Sequence, residues 1–246
     1  MKFILNLHYN YFMGVIVVCQ QPNYFPWLGY LEQCARSDLL ILLDSVQWIR
    51  SGWQSRARIL QHKNADSDYQ WLTIPLYSRS HRSKKINELK IVKDSGWAER
   101  HWKTLSVVYG GRPYFKSQLV RWIQPWYERA QSFESFCEAS VSSLNLCLEI
   151  LGLKPRIYYS SAFEDNTSKT ERLVSLCKSV GANVYYSGLA STKYIDPELF
   201  RNASIQLMWQ HFRHPEYDQG RTQFKSHLSF LDVLANCDVE QVKQGF

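Results

Sequence analysis

The chain predicts an α/β fold in which a mostly parallel sheet is flanked by helices. Three observations point there. Short apolar runs at residues 15–18, 39–43 and 183–186 are too short for buried helices and read as strands covered on both faces. Stretches with helical periodicity alternate with them. Each run also ends in a polar loop. Parallel strands gather such loops at one sheet edge, where open α/β sheets bind their ligands.

Residues 1–13 precede the first strand and read as an N-terminal extension; residues 14–246 read as a single α/β domain. After the strand at 15–18 comes a loop with Cys19, Gln20, Gln21, Pro22, Asn23, two aromatics and Trp27, which reads as one wall of a site. A helix over 28–36 puts Leu28, Leu31 and Cys34 on one face. The run at 39–43 ends at Asp44, a strand-tip carboxylate that can orient a ligand or make a turn. Strands are expected near 56–60, at 69–76 (closed by Pro75) and, as an edge strand, at 86–92. The basic loop 79–85 reads as a solvated segment or as a phosphate clamp.

From about 96 to 153 the pattern is a helical insert. Its first helix stops at Gly110-Gly111, its second covers 114–130, and its third covers 134–151 with Gly152 as C-cap. A strand at 156–159, a helix at 169–180 capped by Thr167 or Ser168, strands at 183–186 and 205–209, an irregular segment at 211–221 and a helix at 228–235 complete the chain.

The 246 residues carry a formal net charge of +7 and 15% aromatics including nine Trp. That charge fits a basic soluble surface or an anionic ligand. Six scattered cysteines without a C-x-x-C pair read as buried thiols of a reduced, cytoplasmic protein. No run approaches the roughly 20 apolar residues of a membrane span. Phosphate-loop, dinucleotide, zinc-protease and nucleophile-elbow motifs are absent. His211 and His214 lack an evident third ligand, so no metal is predicted. Cys19 reads as a structural thiol and His101 as a packed surface residue.

The blocks Gln21-Pro22-Asn23-Tyr24-x-Pro26-Trp27-x-Gly29-Tyr30, Asp44-x-Val46-Gln47 and Gln54-x-Arg56-x-x-Ile59 are long and specific. Together with Asp38, Leu72-Thr73-Ile74-Pro75, Tyr185-x-Ser187-Gly188, Tyr194 and His214-x-x-Tyr217-x-Gln219, they make the sequence resemble the WbqC-like family. Those bacterial proteins are associated with O-antigen and other surface-polysaccharide gene clusters. Gln20 stands where the family usually has His, and Ser55 where Asn commonly precedes the Arg. The resemblance implies sugar or glycan assembly without fixing a reaction. A looser similarity in the order of features, Trp27-Leu28-Gly29-Tyr30 before a helix, links the first loop to adenylyl-transfer folds.

The expected fold is thus a Rossmann-like sheet with helices. The expected function is that of a transferase or ligase on a nucleotide-activated sugar. Asp44 and Gln21 are the candidate catalytic residues. Asn23, Tyr24, Trp27, Tyr30, Gln47, Gln54, Arg56, Arg58, Ser187, Tyr194, His214 and Gln219 are the candidate substrate contacts. Arg56 and Arg58 share one strand face and could clamp a diphosphate. No cofactor is assigned; ATP or a nucleotide-sugar would be substrate, and the partner is a small anionic molecule rather than nucleic acid. The alternatives are a non-catalytic carbohydrate- or nucleotide-binding module and an ATP-dependent adenylating ligase.

Overall fold

The computed structural model describes residues 14–50, 52–61, 68–77, 84–165 and 167–246. The extension 1–13 and most of the basic loop 79–85 fall outside those residues. Seven strands run in chain order: β1 (Ile16–Gln20), β2 (Leu39–Leu42), β3 (Arg56–Leu60), β4 (Tyr69–Thr73), β5 (Arg156–Tyr159), β6 (Val184–Ser187) and β7 (Gln206–Trp209). Five form a parallel sheet in the order β5-β2-β1-β6-β7, and β3 and β4 pair separately as an antiparallel hairpin.

The residues of β1 and β2 are apolar on both faces because both faces are covered. Side chains alternate. Val18, Leu40 and Leu42 pack in one core with Leu28 and Leu31 of helix α1 (Leu28–Ala35) and with helix α4 (Phe136–Leu151). Val17, Cys19, Leu39 and Ile41 pack on the other side with Leu173, Leu176 and Cys177 of α5 (Lys169–Ser179) and Phe200 of α6 (Pro197–Asn202). The result is a three-layer α/β/α arrangement.

Helices α2 (Trp97–Tyr109), α3 (Gln124–Ala130) and α4 lie between the hairpin and β5. Gly152 closes α4 in the left-handed conformation, and the Ser135 hydroxyl caps its start. The helix expected at 114–130 is instead a π-helical stretch, Phe115–Ile123, that runs into α3. Its Gln118 side chain donates to the Leu234 and Cys237 carbonyls at 2.6 and 2.7 Å, holding α7 (Phe230–Asn236). The short α8 (Val239–Lys243) ends the chain.

The edge strand expected at 86–92 is not formed. A 3-10 turn, Ile86–Glu88, stands there, followed by isolated bridges from Lys90 to Ser135 and from Ile91 to Leu76. The cause is local. Glu88 accepts from the Lys85 backbone N–H at 3.0 Å, and Asn87 N–H donates to the Asp44 carbonyl at 2.9 Å, which diverts the backbone from a ladder.

Candidate functional site

From β1 at the middle of the sheet the chain builds outward through β2 and β5, and then returns to build β6 and β7 on the other side. The strand order therefore reverses between β1 and β6, and the crevice rule for open α/β sheets singles out the loops that follow them. At this carboxyl edge, Leu43 N–H donates to the Gln20 carbonyl at 2.8 Å, and Gln210 N–H to the Ser187 carbonyl at 2.8 Å. Asp44, Gln20, Gln21, Ser187 and Gln210 consequently stand along one rim.

Asp44 is buried and satisfied. Its Oδ1 accepts from the Ser160 hydroxyl (3.0 Å) and the Ser161 N–H (2.9 Å). Its Oδ2 accepts from the Ser161 hydroxyl (2.6 Å) and, at 3.4 Å, from Asn87. The Ser45 hydroxyl meets Ser160 at 2.7 Å and receives Arg172 Nη2 at 2.6 Å. This knot ties the tips of β2 and β5 to α5.

Gln20 and Gln21 send their amides to different partners. Gln20 Nε2 donates to Gln33 Oε1 (2.7 Å), and Gln33 Nε2 to Gln210 Oε1 (2.8 Å). Gln210 Nε2 donates to Glu32 (2.6 Å), whose carboxylate also takes the Tyr186 hydroxyl and the Arg36 guanidinium. A Cβ at Gly188 would stand 3.1 Å from Gln33 Nε2, so the glycine lets this amide chain close under the switch point. Gln21 Oε1 accepts from Gln54 Nε2 and so joins the first loop to β3; Gln54 Oε1 is buried without a partner.

The first loop is anchored by aromatics. Tyr24 is fully buried, with its hydroxyl 3.0 Å from His101 Nδ1 and bonded to the Tyr127 hydroxyl. Its ring lies among Phe25, Trp97 and Trp126. Burial lowers the His101 pKa to about 4. His101 is thus a neutral core residue, where a packed surface position was expected. Phe25 is left-handed at φ 39°, a conformation that costs a bulky residue of order 1–3 kcal/mol. Its N–H donates to Ser143 Oγ, and its carbonyl accepts from Ser229 Oγ at 2.7 Å.

Beside this loop, the hairpin carries an arginine–aromatic ladder. Arg56 lies 4.3 Å from the Trp71 ring centre, and Arg58 lies 5.0 Å from both Trp53 and Tyr69. Arg58 also commits two donors to the carbonyls of His227 (3.0 Å) and Ser226 (2.7 Å). Trp53 and Tyr69 remain 40% and 42% exposed. Asn23, Trp27, Trp53, Arg56, Arg58 and Ser229 line a crevice of about 10 Å³. That is room for one water, so a larger ligand would lie on the exposed rings.

The Trp27 ring contacts Phe212 and His227 at 5.5 and 4.8 Å, and His227 is a second left-handed non-glycine residue, φ 59°. His214 stands 6.0 Å behind His227. Its Nδ1 meets the Pro215 carbonyl at 2.9 Å, which fixes the N–H there, while Nε2 is buried without a partner. Burial, aided by the charges of His227 and Arg58, lowers its pKa to about 4. The ring is neutral at pH 7, and Nε2 is an unused acceptor.

A sequence profile of the WbqC-like protein family matches residues 21–244, nearly the whole chain. The chain belongs to the WbqC-like protein family. It is also 30% identical over 225 residues to "Uncharacterized protein Rv1507c" of Mycobacterium tuberculosis, covering 91% of this chain and 94% of that protein. No solved structure matches.

Within this WbqC-like chain the structure sorts the expected contacts into groups. Asn23, Trp27, Arg56 and Arg58 share the crevice; Gln21 and Gln54 join its two walls. Ser187 lies under the switch point bonded to Ser191 at 2.6 Å, with Tyr194 64% exposed on the rim. Tyr30 is buried, its hydroxyl donating to the Gln21 carbonyl at 3.1 Å. Gln219 is buried too, its amide donating to Asp232 (2.9 Å) and to the Lys225 carbonyl (3.0 Å). Gln47 is exposed on an isolated bridge with Lys85, apart from the crevice.

Gln33, Gln210, Arg172, Trp53, Trp71 and His227 were not expected from the sequence. Only Trp53 and Trp71, which flank or face the Arg56–Arg58 pair across the hairpin, had a readable signal. Burial, with Cys177 nearby, raises the Cys19 pKa and leaves it no thiolate character at neutral pH. The first turn of α1 holds no cation, and a Cβ at Gly29 would fall 2.1 Å from the Trp27 ring, so the adenylyl-transfer similarity gains no phosphate site there.

Proposed function

We propose that this WbqC-like protein is a transferase or ligase that acts on a nucleotide-activated sugar in surface-polysaccharide assembly. The observation that carries this reading is the hairpin's arginine–aromatic ladder beside the first loop. Stacking on rings holds guanidinium planes flat and prearranged, the state in which they meet a diphosphate with least ordering cost. The exposed rings of Trp53 and Tyr69 suit a base or a pyranose ring. Asn23 and Gln21 supply amide hydrogen bonds. Asp44 acts as a positioning residue, holding the β2 and β5 tips. Two of the five left-handed non-glycine residues among those described, Phe25 and His227, flank this region.

The test is turnover. The full chain is incubated with UDP-, dTDP- and GDP-sugars, or with ATP and a carboxylic acid, over a panel of sugar acceptors. Release of a nucleoside diphosphate or transfer to the sugar supports the reading; pyrophosphate release from ATP moves it to the adenylating ligase. One observation favours a second reading, a non-catalytic carbohydrate- or nucleotide-binding module: both oxygens of the Asp44 carboxylate already accept two hydrogen bonds each, which leaves this strand-tip acid no open lone pair with which to take a proton. Tight nucleotide-sugar binding without turnover supports that module.

A further inference from the structure

A second cleft lies away from the hairpin. It has a volume of about 590 Å³ and runs between α4 and the tip of β5. Asn145 and Glu149 line both this cleft and an adjoining pocket of about 330 Å³, so the two are continuous along α4. Volumes of this size suit small-molecule ligands. Glu138, Ser142, Asn145 and Glu149 recur at helical spacing and present one polar stripe to the opening. From Glu138 to Glu149 the stripe is about 16 Å long at 1.5 Å per residue. The facing wall is the Tyr159 ring, 39% exposed, with Asn87 beside it.

Charge gives a nucleotide no particular hold here. The cleft holds Glu138 and Glu149 with Arg129, and the adjoining pocket adds Lys154, so the groove as a whole is balanced in charge. It has no cluster of cations for a phosphate group. A ligand rich in uncharged hydroxyls fits that balance. Amides and carboxylates bind paired hydroxyl groups through their two polar atoms, and an exposed tyrosine ring covers the C–H face of a pyranose. β5 is only four residues long, too short a ladder for an added peptide strand to rest on.

We infer that the groove between α4 and β5 is a saccharide-binding site for an uncharged di- or trisaccharide, separate from the arginine–aromatic hairpin. It adjoins the Asp44 knot through Asn87, which bonds Asp44, and through Tyr159, whose pKa is raised by burial with Asp44 also contributing. That the bound saccharide is a substrate rests on the sugar-acting reading above; the binding itself does not.

Saturation-transfer NMR of the full chain, without nucleotide, against di- and trisaccharides of glucose, galactose, mannose, rhamnose and N-acetylhexosamine tests it. At least one should bind with a millimolar or tighter Kd. Asn145→Ala and Tyr159→Ala, both at exposed positions, should each weaken it tenfold or more with little change in Tm. Val107→Ala, on an exposed position of α2, should leave it unchanged. Absence of binding across the panel, or binding indifferent to both groove substitutions, overturns the inference. Loss through Trp53→Ala alone would place the sugar on the hairpin instead.

Discussion

His101 and His214 are both held neutral by burial, with pKa values lowered to about 4. Each binds a proton more weakly folded than unfolded, so the unfolded chain takes up more protons between pH 6.5 and about 4. Stability therefore falls as pH drops through that window. For the well-buried His101 the loss approaches roughly 3 kcal/mol near pH 4. Urea unfolding at stepped pH should show this slope, and His101→Gln should flatten it. Gly29 makes a second residue-scale case. Alanine would favour the helix by about 1 kcal/mol, but its Cβ would fall 2.1 Å from the Trp27 ring. Overpacking costs about 1–3 kcal/mol and wins. Gly29→Ala is expected to displace Trp27, lower Tm and weaken ligand binding at the crevice.

At the scale of elements, the segment from His214 to Ser229 is pinned by one buried carboxylate. Asp232 is fully buried and accepts from Tyr109 (2.8 Å), Tyr217 (2.6 Å) and Gln219 (2.9 Å); Tyr109 in turn receives the Leu60 N–H of β3. Asp232→Ala strands three buried donors and should cost about 3–5 kcal/mol, loosening loop and hairpin together. Denaturant midpoints would measure it. Asp44→Asn should cost about 1–3 kcal/mol, since an amide cannot accept at both oxygens from the Ser160 and Ser161 donors. If Asp44 positions the strand tips, binding and turnover fall in step with that loss; a turnover defect in a fully stable variant would make it a catalytic base.

Elements held by local pattern were legible. The runs at 15–18 and 39–43 are strands because covered faces demand unbroken apolar sequence, and Gly152 closes α4 as C-cap chemistry requires. The strand expected at 86–92 failed because its backbone bonds to Asp44, more than 40 residues away. Asn23, Trp27, Arg56 and Arg58 could be read together because two sequence blocks carry them. Gln33 and Gln210 could not, since only the folded sheet brings residues 177 positions apart to 2.8 Å.

At the scale of the molecule, a five-stranded parallel sheet places its switch point, the Asp44 knot and the arginine–aromatic hairpin around one loop, 19–27. Among the described residues no helix is long and apolar enough to cross a membrane. The net charge of +7 favours anionic ligands over the whole surface, so their affinity should fall as salt screens it. We propose that the hairpin beside this loop binds an activated sugar. The most direct test is a thermal-shift titration with UDP-, dTDP- and GDP-sugars, in wild type and in Arg56→Ala and Trp53→Ala. A ligand at 100 times its Kd adds about 2.7 kcal/mol of stability. A nucleotide-sugar should give such a shift, with affinity reduced at least tenfold by either substitution. No shift with any of them, or a shift that both variants retain in full, contradicts it.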